Sequence, residues 1–460
     1  MSSNKIFLFF IPILVTALVV AGTLSVQSRD KEMNVEEHQS GKEIKIEAKN
    51  LFRFPGDWDM IESTSITAFY PGQTSWQWLV SREHAGAAGV GDMRCSNCHQ
   101  PGELGEELIE PGPREPDPIP GKQPVKDVQV KAAYDNEYFY IRFQWASDRP
   151  GQTHDLWRFD GHEWQRYGAQ RPEADRENIL PSYEDRLAVI IDDQNLKASD
   201  ACQASFSKSG CFITCHNSMR QMSHEPSSEQ VRKHPYLGRE GLDREDVRKY
   251  LLITRTEQNE AGAWDKLKNR EELDNLFNQG KFLDLWQWRA ARSNPVGYAG
   301  DDFVFEYRKS DDGMQPFKTP DEPEWMYDQS ITGFKAIPES RFEEHIRDFP
   351  LIIGETAVKF DPEVDFQKGD ILSRRVLRKP EGSAGDVTAN GSYANGVWTV
   401  ELRRKLDTGN PDDKILVPGK TYNIGTGLFD DHTSNRRHYV SFVKTLGIGV
   451  DADIRACSIK

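Results

Sequence analysis

The clearest hydrophobic pattern in the chain is an alternation of apolar and polar residues over Tyr138–Trp145. Apolar residues at every second position share one face of a strand, because successive side chains point to opposite sides. A second strand-like run, Val128–Tyr134, precedes it, and a polar turn at Asp135-Asn136 separates the two. The pattern predicts a β-hairpin with one buried face.

Five later runs are rich in β-branched and aromatic residues and predict further strands. They are Arg186–Ile191, Asp302–Tyr307, Val397–Leu402, Thr421–Leu428 and His438–Leu446. Long connections separate them, which is typical of two packed antiparallel sheets. We therefore expect a mainly β protein built around an antiparallel β-sandwich.

Two other patterns divide the chain. Residues 225–281 are charged and predict a helical insertion with two amphipathic segments, Arg244–Glu257 and Trp264–Phe282. The stretch from Gly102 to Pro124 is rich in Gly, Pro and acidic residues and predicts a linker. We expect three regions: 1–30, a membrane anchor or signal segment; 31–124, a small loop-rich haem segment with its linker; and 125–460, the sandwich.

The amino end holds the longest apolar run, Ile6–Val26, which carries no charge. About 20 residues are needed to span a bilayer as a helix, whereas the apolar part of a signal peptide is shorter. An uncleaved N-terminal membrane helix and a cleaved signal peptide both remain open. Both export the rest of the chain, so we expect it to face the periplasm or another extracytoplasmic space.

Composition restricts the partners. The 460 residues include 58 Lys plus Arg against 73 Asp plus Glu, a formal net charge of −15. Surfaces that follow nucleic-acid phosphates are basic, so we expect no nucleic-acid partner. The 37% of hydrophobic residues is ordinary for a globular protein.

The six cysteines carry the main chemical signal. Cys95, Cys98 and His99 form a C-x-x-C-H motif, the signature of c-type haem attachment, in which the thiols bond the porphyrin and the histidine binds the iron. A redox dithiol and half of a zinc site are the alternatives, but no second Cys pair has ordinary zinc spacing.

A second group, Cys211, Cys215 and His216, has one more residue between the thiols and is less specific. We expect it to attach a second haem c; the alternatives are a disulfide of Cys202 with Cys211 or Cys215, and structural free thiols. His84 is the candidate sixth ligand of the first haem. For the second, the candidates follow the motif and are Met222, Met219 and His224; His432 and His438 are more remote candidates.

Several segments together resemble the ethylbenzene-dehydrogenase-type haem-binding domain over Val125–Ile448. They are Val128–Trp145, Glu184–Asp192, Gly210–Met222, Asp284–Val304 and Arg436–Phe442. The family includes membrane-attached c-type cytochromes and the haem-carrying gamma subunits of molybdenum enzymes. The resemblance implies a β-sandwich with haem between loops at one end.

The chain departs from the gamma subunits by its apolar amino end, its extra haem motif and the insertion at 225–281. Gamma subunits hold a non-covalent haem b through a Met and a Lys, for which Met326 and Lys444 are the matching positions. An additional haem b is thus a possibility that the resemblance raises. The Cys-His motifs place the chain closer to the c-type members.

We expect a membrane-anchored dihaem c-type cytochrome that transfers single electrons and is not itself an enzyme. Its partners would be redox proteins, such as a molybdenum oxidoreductase or a quinol-oxidising complex. A gamma-like subunit of a molybdenum oxidoreductase and a haem-based sensor are the alternatives. Tryptophans near the motifs would line the haems or belong to the ordinary core: Trp76, Trp78, Trp145, Trp286 and Trp288.

Overall fold

The computed structural model describes most of the chain beyond residue 53. The described residues are 54–70, 72, 82, 84, 94–97, 119–171, 173–196, 206–212, 227–236, 249–257, 263–342, 350–434 and 437–459. The predicted membrane segment Ile6–Val26 lies outside them. Among the helices of the described ranges, none is long and apolar enough to cross a bilayer.

The described chain is mainly β, and its strands pair mostly antiparallel. The strands are β1 Thr64–Phe69, β2 Val125–Tyr134, β3 Tyr138–Ala146, β4 Leu156–Phe159, β5 Trp164–Tyr167, β6 Arg186–Asp192, β7 Leu283–Arg289, β8 Gly300–Val304, β9 Arg308–Ser310, β10 Phe317–Lys318, β11 Trp325–Tyr327, β12 Ala357–Lys359, β13 Ile371–Ser373, β14 Val376–Leu377, β15 Thr388–Ala394, β16 Val397–Lys405, β17 Thr421–Phe429, β18 Tyr439–Ser441, β19 Lys444–Ile448 and β20 Ile454–Ser458.

The helices are few and short. The α-helices of the described residues are α1 Glu173–Glu177, α2 Phe206–Ser209, α3 Ser228–Lys233, α4 Arg270–Asn278 and α5 Gln329–Thr332. The 3-10 helices are Trp58–Met60, Cys95–Asn97, Leu252–Thr254, Ala263–Asp265, Asn294–Val296, Glu339–Arg341 and Ser383–Gly385.

The predicted hairpin is formed by β2 and β3. Tyr134 pairs with Phe139, and the carboxylate of Asp135 accepts hydrogen bonds from the backbone N–H groups of Glu137 and Tyr138, at 2.8 and 2.7 Å. These bonds satisfy the donors of the turn and fix its register. Phe139, together with the other alternate apolar residues of β3, is fully buried, as the pattern predicted.

Thirteen strands join in one sheet, in the order β15-β16-β3-β2-β1-β18-β17-β6-β7-β8-β9, with β19 and β20 attached beside this row. β20 pairs in parallel with both β19 and β2, while β19 pairs with β17. Six strands therefore form a closed ring of pairings: β2, β1, β18, β17, β19 and β20. β1 precedes the predicted linker and yet lies in the middle of the sheet.

The sheet folds back so that distant strands share one core. Trp288 of β7 packs on Trp145 of β3 and Trp398 of β16, with ring centroids 6.1 and 5.1 Å apart. Trp145, Trp286 and Trp288 are fully buried within this main core. Of the two roles that the sequence left open for these tryptophans, the structure shows that of core residues. Trp76 and Trp78 lie outside the described residues.

The predicted insertion is only partly helical in its described residues. Its second segment forms α4, which Asn269 caps by accepting a hydrogen bond from Glu272 N at 3.0 Å. In the first segment, residues 249–257 contain only a 3-10 turn. The prediction of an α-helix is therefore wrong for these residues. Leu251 N donates to Phe305 O and Arg255 donates to Glu306 O, so tertiary contacts replace the helical ones.

Candidate functional site

Cys95 opens a one-turn 3-10 helix, Cys95–Asn97, and is partly exposed. Asn97 N donates to Arg94 O at 2.9 Å and closes the turn. His84 is half-buried. Cys98 and His99, the other residues of the first motif, lie outside the described residues, so the motif remains a prediction from the sequence.

Cys211 lies just after α2 and is buried, with 2% of its surface exposed. The chain reaches it through Gly210, whose φ of +55° is a left-handed conformation that glycine adopts without strain. Gly210 N donates to Phe206 O at 2.8 Å and ends the helix. The other candidates of the second motif lie outside the described residues: Cys215, His216, Met219, Met222 and His224.

Cys211 shares a buried cluster with a sheet surface that includes two glycines, which we call the glycine face: Ala188 and Ile190 of β6, Gly425 and Gly427 of β17, and Val440 of β18. A Cβ on Gly425 would lie 2.9 Å from Cys211 Sγ and 3.1 Å from Phe206 Cζ. The absence of side chains on β17 therefore creates the space that the thiol and the Phe206 ring fill.

His438 lies at the end of the glycine face. Its ring stacks on Phe429 with centroids 4.4 Å apart, and a Cβ on Gly427 would lie 3.7 Å from its Cδ2. His432 instead contacts Tyr183 O through Nδ1 at 3.0 Å, and burial lowers its pKa. Of the two C-terminal histidines, His438 is therefore the one beside the surface that holds Cys211.

The two positions considered for haem b lie in different surroundings. Met326 is buried in a peripheral cluster with Tyr327 and Trp157. Lys444 starts β19 and pairs with Ile424, the residue before Gly425.

Beyond Phe429 the glycine face continues into a group of arginines, which we call the arginine cluster: Arg186, Arg289, Arg292, Arg308, Arg374 and Arg375. Arg186 connects the two features, because its guanidinium carbon lies 4.0 Å from the centre of the Phe429 ring. Arg186 pairs with Arg289 in the register of β6 and β7. Burial lowers the pKa of both guanidinium groups.

Three carboxylates pair with these six arginines. Glu184 pairs with Arg292, Asp302 with Arg308 at 2.9 Å, and Asp155 with Arg375 and, at 3.2 Å, with Arg374. Asp302 also lies 3.7 Å from Arg289. Within the described ranges, Arg186 makes no carboxylate ion pair, and its buried Nε has no hydrogen-bond partner. The cluster thus carries more positive than negative charge.

His154 lies among these arginines. It is 5% exposed, and its Nδ1 has no hydrogen-bond partner. Its ring contacts the Tyr183 ring edge-on, with the two ring centroids 4.6 Å apart. Burial, with Arg292 and Arg375 nearby, lowers the pKa of His154 well below its usual value. A neutral imidazole surrounded by excess positive charge can accept a hydrogen bond or approach an anion.

Among the described residues, a haem could use the Cys211 thiol, and its two propionates are anions that the arginine cluster could pair with. The space over Gly425 is filled by Cys211 and Phe206 and is not left open for the macrocycle. Sequence reasoning missed the arginine cluster because its members come from separate strands and loops and form no local motif.

Comparisons with known proteins agree with the resemblance noted from the sequence. The family described as Ethylbenzene dehydrogenase matches residues 56–441. The match begins before β1 and includes the first Cys-His motif. A protein named Cytochrome c-552, from Stutzerimonas stutzeri, is 24% identical over 408 residues, which cover 87% of this chain and 90% of that protein.

Proposed function

Because the chain belongs to the ethylbenzene dehydrogenase family, we propose that it is an exported, membrane-anchored dihaem c-type cytochrome that transfers single electrons in an extracytoplasmic respiratory chain. The similarity to a cytochrome c-552 and the family match support a cytochrome or molybdoenzyme-related electron-transfer role. The β-sandwich is part of the proposal, and the folding back of β7 onto β3 and β16 supports it.

The observation that carries the proposal is the buried Cys211 on the glycine face beside the arginine cluster. A haem attached there supplies one-electron chemistry. Cys211 and Cys215 would hold it covalently, and His216 would bind the iron. Apolar residues of the face exclude water, and Arg186 places positive charge at its edge. Cys95, Cys98 and His99 would hold the first haem.

Haem counting tests the proposal. The intact mass of the purified protein should show two covalent haems, and the double variants Cys95→Ala/Cys98→Ala and Cys211→Ala/Cys215→Ala should each lose one. Cys457→Ala, at a cysteine in neither motif, is the matched control and should keep both. Retention of both haems in either double variant would remove that motif from the proposal.

The redox partners are also part of the proposal: an electron-transfer protein, a molybdenum oxidoreductase or a quinol-oxidising complex. The gamma-subunit alternative predicts haem that acid-acetone extracts, because Met326 and Lys444 would bind it without covalent bonds. Extraction of all haem would therefore favour that alternative over the dihaem c-type cytochrome.

A further inference from the structure

A second group of buried charged residues lies where the long connection between β16 and β17 meets β7 and β8, next in sequence to Asp302, which pairs with the arginine cluster. Asp284 of β7, Asp301 of β8 and Asp413 of the connection each place a carboxylate oxygen within 4.8 Å of the others. In the β7–β8 register, Asp301 is opposite Trp286, two residues from Asp284. Both aspartates therefore lie on the same face of the sheet.

These carboxylates are buried and incompletely partnered. Asp284 and Asp301 are fully buried and Asp413 is 7% exposed. Neither carboxylate oxygen of Asp301 has a hydrogen-bond partner, and Oδ1 of Asp284 has none. Asp311, whose backbone N–H donates to Asp301 O at 3.3 Å, is 3% exposed and also has two unpartnered oxygens.

One cation lies against this group in the described chain. Arg404 is fully buried and donates from Nη1 to Asp284 and, at 3.2 Å, to Asp413. The nearby ammonium of Lys414 pairs instead with Asp193 at 3.0 Å and donates to Gly280 O. Three carboxylates thus face one guanidinium, and Asp311 adds a fourth buried carboxylate beside Asp301. Charges buried without compensation are very unfavourable, so the group requires protons or a further cation.

The group differs from an ordinary buried ion-pair network in that Asp301 makes no ion pair and no hydrogen bond through its side chain, although it is fully buried. A divalent cation would satisfy the oxygens that protein donors leave unpartnered. The donors are all hard oxygens, the kind that Ca²⁺ and Mg²⁺ bind. Mg²⁺ usually keeps several waters and binds few protein ligands, whereas Ca²⁺ accepts six to eight oxygens, including several carboxylates.

We propose that Asp284, Asp301 and Asp413 bind a Ca²⁺ ion, with Asp311 as a further ligand. The ion would join β7, β8 and the connection between β16 and β17. Because Asp413 is more than a hundred residues from the other three ligands in sequence, binding would stabilise the folded chain against the unfolded one. The site is independent of the proposed haem chemistry.

Metal analysis of the intact holoprotein tests this proposal. Purified without chelator, it should contain one calcium per chain, measured separately from iron. After removal of calcium with EDTA, calorimetric titration with CaCl₂ should show one site, and Ca²⁺ should raise the melting temperature. Asp301→Asn should weaken binding at least ~10-fold, because even outer-shell partners of a metal are worth about 10- to 100-fold in affinity.

Asp192→Asn is the matched control, since Asp192 is also a fully buried carboxylate of the same sheet but belongs to a different cluster. It should bind Ca²⁺ as the unmodified chain does. If Asp301→Asn does not fold, titration of the unmodified protein decides alone. Absence of calcium from the unmodified holoprotein, together with no heat of binding and no rise in melting temperature, would overturn the proposal and mean that the aspartates share protons.

Discussion

Replacing Gly425 by alanine should disturb the contact between Cys211 and the sheet. The added Cβ would lie 2.9 Å from Cys211 Sγ and 3.1 Å from Phe206 Cζ, both closer than a Cβ normally lies to another heavy atom. Such overpacking of a core costs about 1–3 kcal/mol. The substitution also reduces the conformational entropy of the unfolded chain, which raises the free energy of unfolding by about 0.4–1 kcal/mol. We therefore expect Gly425→Ala to lower the free energy of unfolding by about 1–2 kcal/mol.

Gly427→Ala is the matched control on the same strand and the same face. Its Cβ would lie 3.6 Å from Ala188 Cβ and 3.7 Å from His438 Cδ2, which are ordinary contacts. This variant should keep or slightly raise stability, because only the effect on the unfolded chain remains.

The assay is urea unfolding of the purified holoproteins, followed together with the visible absorption spectrum. Gly425→Ala should unfold at a lower urea concentration than Gly427→Ala and should alter the absorption of one haem, because the displaced sulfur would hold it. Equal midpoints for the two variants would refute the claim that Gly425 makes room for Cys211. Lower stability with an unchanged spectrum would keep the packing argument and contradict the proposed attachment at Cys211.

Three further results follow from the buried charges. Burial raises the pKa of Asp192 from 3.8 to about 6. The folded chain therefore holds this proton more tightly than the unfolded chain, and the stability present below the unfolded pKa is lost as the pH rises through about 6. The loss corresponds to about 3 kcal/mol in the free energy of unfolding. Asp192→Asn should abolish this part of the pH dependence in urea unfolding, and an unchanged profile between pH ~4 and ~6 would contradict it. Arg404→Met leaves Asp284 and Asp413 without their arginine and should cost about 3–5 kcal/mol by urea unfolding in the presence of EDTA, so a loss below about 1 kcal/mol would mean that they are protonated. Arg186→Gln removes positive charge beside the glycine face and should lower the reduction potential of one haem in a redox titration, with a rise or no change as the contrary result.

The sequence predicted the strands better than it predicted how they meet. Alternation in Tyr138–Trp145 determined β3 and its buried face, since a strand that buries one side needs apolar residues at every second position. The helix expected in Arg244–Glu257 is not formed in its described residues, because hydrogen bonds to the β8–β9 connection override local propensity there.

The clusters of charge could not be predicted in the same way. Arg186 and Arg375 are nearly two hundred residues apart in sequence, and Asp301 and Asp413 more than a hundred. Their proximity depends on strand order and register, which local sequence patterns do not encode. The Cys-His motifs were recognisable because their chemistry needs residues close together in sequence.

The closed ring of strand pairings has a consequence for how the chain folds. Its members include β1 near residue 64 and β20, which ends at Ser458, two residues before the carboxyl end of the sequence. Contacts between such distant segments carry a large entropic cost before they form, and they slow folding. The ring cannot close until β20 has been synthesised, because β20 links β19 to β2. Removing residues 454–460 should therefore leave β2 and β19 with exposed edges, and an exposed strand edge favours aggregation.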